Sequence, residues 1–150
     1  MIKYLFATLI LFSTITSTNP ARMERIRKNF TSYVFRNQDA WPILCENTPK
    51  GNVPGKLDDK GGAYYPWGGV EHRCDEWKAV RGSLASKDNS LPDNCEPKGF
   101  QTNDNNKYYN AVLWLEEGLI PGKAALDLSM AWYSWGGKEI YVKEDFFVIC

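Results

Sequence analysis

The chain of 150 residues carries 18 basic and 18 acidic side chains, one His and six Trp, with no net charge. That balance excludes the strongly basic composition of a nucleic-acid or membrane-surface binder, so any polyanion site must be a local patch. No stretch reaches the roughly 20 apolar residues that a membrane-spanning helix needs.

The beginning of the chain predicts export. Met1-Ile2-Lys3 gives a positive start, Tyr4 to Phe12 is almost wholly apolar, and Ser13 to Thr18 supplies small polar residues. This is the layout of a secretory signal peptide over residues 1–18, leaving a single mature domain over 19–150. The mature protein is then extracellular and has no membrane segment. Residues 22–28 are basic and run into Asn29-Phe30-Thr31, an N-glycosylation sequon in a eukaryotic host. Phe30, Tyr33, Val34 and Phe35 suit a short helix or a strand.

Ala40 to Cys45 reads as a strand. Residues 46–69 read as a loop, because Pro49, Gly51, Pro54, Gly55, Gly61, Gly62, Pro66, Gly68 and Gly69 break every period. Tyr64, Tyr65 and Trp67 within it are expected to cover the edge of the core. His72 to Arg81 is helical or extended, and residues 86–107 are turn-rich. Tyr109, Val112 and Leu113 then share a helical face, which predicts a helix over 108–117 stopped by Gly118. A second helix is expected over 124–133. Gly136-Gly137 makes a turn, and 139–150 closes the chain as one or two strands. No repeat stands out. The predicted fold is a small α+β domain, a short antiparallel sheet with two or three helices.

Cys45, Cys74, Cys95 and Cys150 predict disulfides in an exported chain, and four cysteines allow three pairings. No C-x-x-C spacing favours zinc. A bridge to Cys150 would pin the last strand.

The densest polar cluster is His72-Arg73-Cys74-Asp75-Glu76-Trp77, followed by Asp104-Asn105-Asn106. Adjacent carboxylates with a neutral amide oxygen can hold a hard divalent cation while one carboxylate acts as base. Cys74-Asp75-Glu76-Trp77 resembles the D-E-[YW]-P motif of the NucA/NucB family of secreted deoxyribonucleases. Asp104-Asn105 resembles that family's amide opening a helix, and Leu128 to Tyr133 with Lys143 to Val148 resemble its closing pieces. The resemblance covers roughly residues 70–150 and departs at Lys78, where the family has Pro. It implies a ββα-metal-like core, bound Mg²⁺ or Mn²⁺, and non-specific cleavage of DNA. Asp75 would be the general base, with Glu76 beside it and Glu76 and Asn105 as metal ligands. His72 would contact phosphate or assist proton transfer, and Arg73, Lys78, Arg81 and Lys107 would hold DNA.

Two further readings stand beside it. Gly62 to Trp67 is similar to the Tyr-Pro-His segment of small fungal ribonucleases, but Trp67 stands where their His would be. The other is an inactive secreted binding or host-directed effector protein. Tyr64, Tyr65, Trp67, Trp132 and Trp135 would give it an aromatic surface for a protein or glycan partner.

Overall fold

The protein is described by a computed structural model that covers residues 40–102, 105–115 and 118–150. The expected signal peptide, the basic 22–28 segment, the Asn29 sequon and Asp104 lie outside these described residues.

Among the described residues every regular element is a strand. In chain order they are β1 (Ala40–Thr48), β2 (Gly51–Asp58), β3 (Ala63–Trp67), β4 (Val70–Arg73), β5 (Trp77–Ala79) and β6 (Leu84–Ser86). There follow β7 (Gly99–Gln101), β8 (Lys107–Leu115), β9 (Gly118–Ala125), β10 (Ala131–Trp135), β11 (Lys138–Val142) and β12 (Phe146–Ile149). All pairings are antiparallel. The order β2-β3-β4-β11-β10-β9-β8 is closed by β7, which pairs both β2 and β8. Eight strands therefore form a closed barrel, which leaves that ring without edges. Outside it, β1 joins β2 to β5, and β12 joins β8 to β6.

This corrects the α+β expectation, and with it the ββα-metal-like core. Of the segment expected as a helix over 108–117, the described residues 108–115 belong to β8. Tyr109 through Leu113 are buried without interruption, on both faces of the strand. Burial on both faces erases the two-residue alternation that marks a strand, and the apolar run then mimics a helical face. The helix expected over 124–133 is the end of β9, a turn with Leu128 at φ 61, and the start of β10. The supposed loop over 46–69 is mostly β2 and β3. The Gly136-Gly137 turn and the closing strands are as expected.

Proline and glycine fit inside β2 because of where they sit. Along one edge β2 pairs β7 at Gly51 and Asn52, then β3 at Lys56 and Leu57, leaving Pro54 between the two ladders. Its missing N–H costs no ladder bond there. Gly55 follows because a Cβ would strike the Tyr64 carbonyl.

The same solution occurs again in β9. Pro121 precedes the β10 pairing, which begins at Gly122's neighbour Lys123, and a Cβ on Gly122 would strike the Trp132 carbonyl. Register makes the two halves equivalent. Lys56 pairs Tyr64 as Lys123 pairs Trp132, and Leu44 faces Pro54 as Val112 faces Pro121. Trp67-Gly68-Gly69-Val70-Glu71 closes the first unit and Trp135-Gly136-Gly137-Lys138-Glu139 the second. Both turns have two glycines at positive φ, as a type I′ hairpin requires. The chain thus contains two copies of one four-strand unit, β1–β4 and β8–β11, a repeat that the sequence reading did not find.

The apolar core lies in three clusters. Ile43, Val53, Ala63 and Tyr65 pack around the Cys45–Cys74 disulfide under the first unit. Tyr109, Leu113, Phe146 and Val148 pack under the second, beside the Cys95–Cys150 disulfide. Leu44, Val112, Leu119 and Phe147 belong to the third cluster. Both disulfides are consistent with an oxidising extracellular setting.

Candidate functional site

The most polar part of the interior lies across the seam between β4 and β11. Lys56 Nζ lies 3.0 Å from Glu71 Oε2 and donates to the Ser134 carbonyl at 2.5 Å, with the Trp135 ring centroid 4.8 Å away. Lys123 Nζ lies 3.1 Å from Glu139 Oε2 and donates to the Pro66 carbonyl at 2.7 Å, with the Trp67 centroid 4.0 Å away. Each lysine thus pairs with the glutamate of its own unit and takes a carbonyl and a Trp face from the other. The glutamates cross over as well. Glu71 Oε1 accepts from Gly137 N–H at 3.0 Å, and Glu139 Oε1 accepts from Gly69 N–H at 2.8 Å.

The two lysines differ in their surroundings. Lys123 has Tyr108 and Trp132 as further ring neighbours, 5.3 and 5.2 Å from its ammonium, and is 4% exposed. Burial lowers its pKa to about 8, with the Glu139 charge and hydrogen bond pulling the other way. For Glu71 burial raises the pKa, but hydrogen bonds from Ser134, Lys56 and Gly137 and the Lys56 charge outweigh it. The net shift is downward.

Above Lys123 an open cleft of about 530 Å³ is lined by Asn105, Asn106, Lys107, Tyr108, Asp127 and Trp132, with Ala125 and Leu126. Tyr108 and Trp132 are half-buried and meet edge to face at 6.3 Å. Asn105, Lys107 and Asp127 are exposed at its rim. Asn105 stands at φ 57, a conformation Asn tolerates better than most residues. The Asp127 carboxylate accepts from the Ser129 hydroxyl and N–H, which lowers its pKa. The cleft therefore offers aromatic surface beside carboxylate and amide groups, with an ammonium at its rim.

The carboxylates singled out by sequence lie elsewhere. Asp75 and Glu76 are exposed and line a smaller cleft of about 130 Å³ with Glu46, Asn47, Thr48 and Arg73. Glu76 Oε1 accepts from Asn47 Nδ2 at 2.8 Å, so the amide shows it a nitrogen. Asn105, expected as their partner in holding a cation, lines the Lys123 cleft and not this one. Among the described residues no three His, Cys, Asp or Glu side chains gather as a metal site would require.

His72 stacks on Tyr65 with centroids 5.2 Å apart and has Nε2 3.0 Å from the Trp67 carbonyl. It braces the β3–β4 hairpin. Arg73 lies over the Tyr64 ring, Lys78 pairs Glu46 at 3.4 Å, and Arg81 is exposed. Of the four basic residues expected to hold DNA, only Lys107 lines the larger cleft and only Arg73 the smaller.

The sequence marks Trp67, Trp132 and Trp135 as candidate surface aromatics and points to no site role for Lys56, Glu71, Tyr108, Lys123 or Glu139. The doubled Pro-Gly-Lys at 54–56 and 121–123, with the doubled Trp-Gly-Gly-x-Glu, is the signal for the two lysines and two glutamates. Tyr108 has no such signal, since its counterpart is Ala40. Compared with models of known protein families and with curated proteins, the sequence matches none.

Proposed function

We propose that this chain is a secreted carbohydrate-binding protein that uses the cleft above Lys123. The observation that carries this reading is the pairing of Tyr108 and Trp132 with Asn105, Asn106 and Asp127 around one open cleft. A pyranose has an apolar C–H face and a rim of hydroxyls. The first suits an aromatic ring, and the second suits amide and carboxylate groups that can donate and accept. Lys107 adds a donor at the rim. A few convergent polar groups beside aromatic surface are what fixes a small ligand's orientation.

The buried clasp beneath supports the reading by its rigidity. Trp67, Tyr108 and Trp132 are fixed around one ammonium, so the ring surface is preorganised and loses little freedom on binding. The signal-like residues 1–18 and the two disulfides support an extracellular place of action.

The test is titration of the secreted protein with a panel of neutral methyl glycosides, followed by Trp fluorescence and calorimetry. Binding by at least one glycoside, weakened about tenfold or more by Trp132→Ala, is the expected result. Absence of binding across the panel, with metal-dependent nicking of plasmid DNA lost on Asp75→Ala, would return the deoxyribonuclease reading to first place.

A further inference from the structure

Duplication of the four-strand unit should produce two equivalent clefts, one above each buried lysine. We infer that only the cleft of the second unit, built on Trp132, takes ligand, and that Arg73 occupies the ligand's place in the first. This rests on the carbohydrate-binding reading and sets its stoichiometry at one glycan per chain.

Strand register identifies the counterparts. Trp132, opposite Lys123, corresponds to Tyr64, opposite Lys56. Tyr141, opposite Trp132, corresponds to Arg73, opposite Tyr64. Tyr108, opposite Ala125, corresponds to Ala40, opposite Asp58. Each replacement removes something a sugar would need.

Where the second unit has two rings meeting edge to face, the first has a single ring, because Ala40 is a methyl group. That ring is already covered. The Arg73 guanidinium carbon lies 5.8 Å from the Tyr64 centroid, and Nη1 is 3.4 Å from its hydroxyl. A guanidinium over an aromatic face uses the surface on which a pyranose would stack. A Cβ on Gly62 would also meet the Tyr64 ring edge and hydroxyl, so the β2–β3 turn lies against the ring. That turn also engages Asp58, whose Oδ1 accepts from the N–H groups of Lys60 and Gly62 at 2.9 and 2.7 Å.

In the second unit the equivalents are open. Tyr141 is 59% exposed, and the β9–β10 turn contributes Leu126 and Asp127 to the cleft lining. The tyrosine of the first unit thus contacts both its turn and its arginine, while the tryptophan of the second faces a cleft.

The experiment uses the secreted full chain and whichever methyl glycoside of the neutral panel binds it, read by isothermal titration calorimetry. One glycoside per chain is expected. Trp132→Ala should weaken binding at least about tenfold, while Tyr64→Ala leaves affinity within about twofold and stoichiometry at one. Lys107→Ala and Asp127→Ala, which change only exposed groups, should each weaken binding and guard against misfolding of the Trp132 variant. Two glycosides per chain, or undiminished binding in the Trp132, Lys107 and Asp127 variants, would overturn the one-site inference while leaving carbohydrate binding intact. Failure of the wild-type chain to bind any member of the panel would overturn both together.

Discussion

Lys123 is the residue whose chemistry departs furthest from that of a solvated side chain. Its ammonium is held by one carboxylate, one carbonyl and three rings, yet burial still lowers its pKa to about 8. Unfolding returns that pKa to 10.5, so between about pH 8 and 10.5 the unfolded chain binds the extra proton. Stability from this group therefore rises with pH across that window and is lost as pH falls through 8. The predicted size is about 3 kcal/mol, from roughly 1.4 kcal/mol per unit. Denaturant unfolding of wild type and Lys123→Met at pH 7.5 and pH 10.5 checks it, since other titrations cancel in the difference. Glu71 works in the opposite range. Its pKa is lowered by folding, so its contribution is present above pH 4.5 and disappears as acid protonates it.

Among the elements, the two Pro-Gly-Lys strands leave no room for an added side chain at their glycines. Gly122 lets β9 approach β10 so closely that any side chain would strike the Trp132 carbonyl, a backbone atom that cannot swing aside. Gly122→Ala is expected to cost about 1–3 kcal/mol, the usual range for overpacking, and to lower the thermal midpoint. Gly55→Ala should behave alike at the Tyr64 carbonyl. Each glycine precedes a lysine that reaches across the seam, so both variants should also loosen the clasp. Hydrogen exchange at the Gly69 and Gly137 amides, which the glutamates hold, is the measurement that would report this. Protection unchanged from wild type would mean that the clasp is independent of the strand approach.

For the molecule as a whole, Cys45–Cys74 ties β1 to the end of the β3–β4 hairpin, and Cys95–Cys150 ties the end of β12 to the segment between β6 and β7. Cys95–Cys150 closes a separation of 55 residues and fixes the chain end beside β6, where Cys150 and Ser83 exchange backbone hydrogen bonds. Chain entropy assigns such a closure about 4 kcal/mol, more than for the Cys45–Cys74 span of 29 residues. Replacing Cys95 and Cys150 by Ser should therefore lower unfolding free energy by about 3–4 kcal/mol in urea titrations. The equivalent Cys45/Cys74 variant should lose somewhat less.

Much of this was present in the sequence in local form. The four cysteines, the Gly136-Gly137 turn and the closing apolar strand follow from residue chemistry that acts over a few positions. Tyr108 to Leu115 could not be read in the same way. A strand buried on both faces loses its alternation, and only the neighbours on each side decide between strand and helix. Pro54 and Pro121 looked like breakers because a sequence does not show which backbone N–H groups a neighbouring strand will need. The candidate site was still less legible. Asp75 and Glu76 are adjacent in sequence but stand exposed on one side of the barrel, while Asn105 lines a different cleft. Lys123, Glu139, Trp67 and Trp132 are scattered along the chain, and antiparallel pairing across the β4–β11 seam brings them together. Sequence determined the cross-linking chemistry and the Gly136-Gly137 turn, because those depend on intrinsic residue preferences. Tertiary structure decided the barrel, its duplicated clasp and the cleft, because long-range register sets which distant side chains share one low-dielectric space.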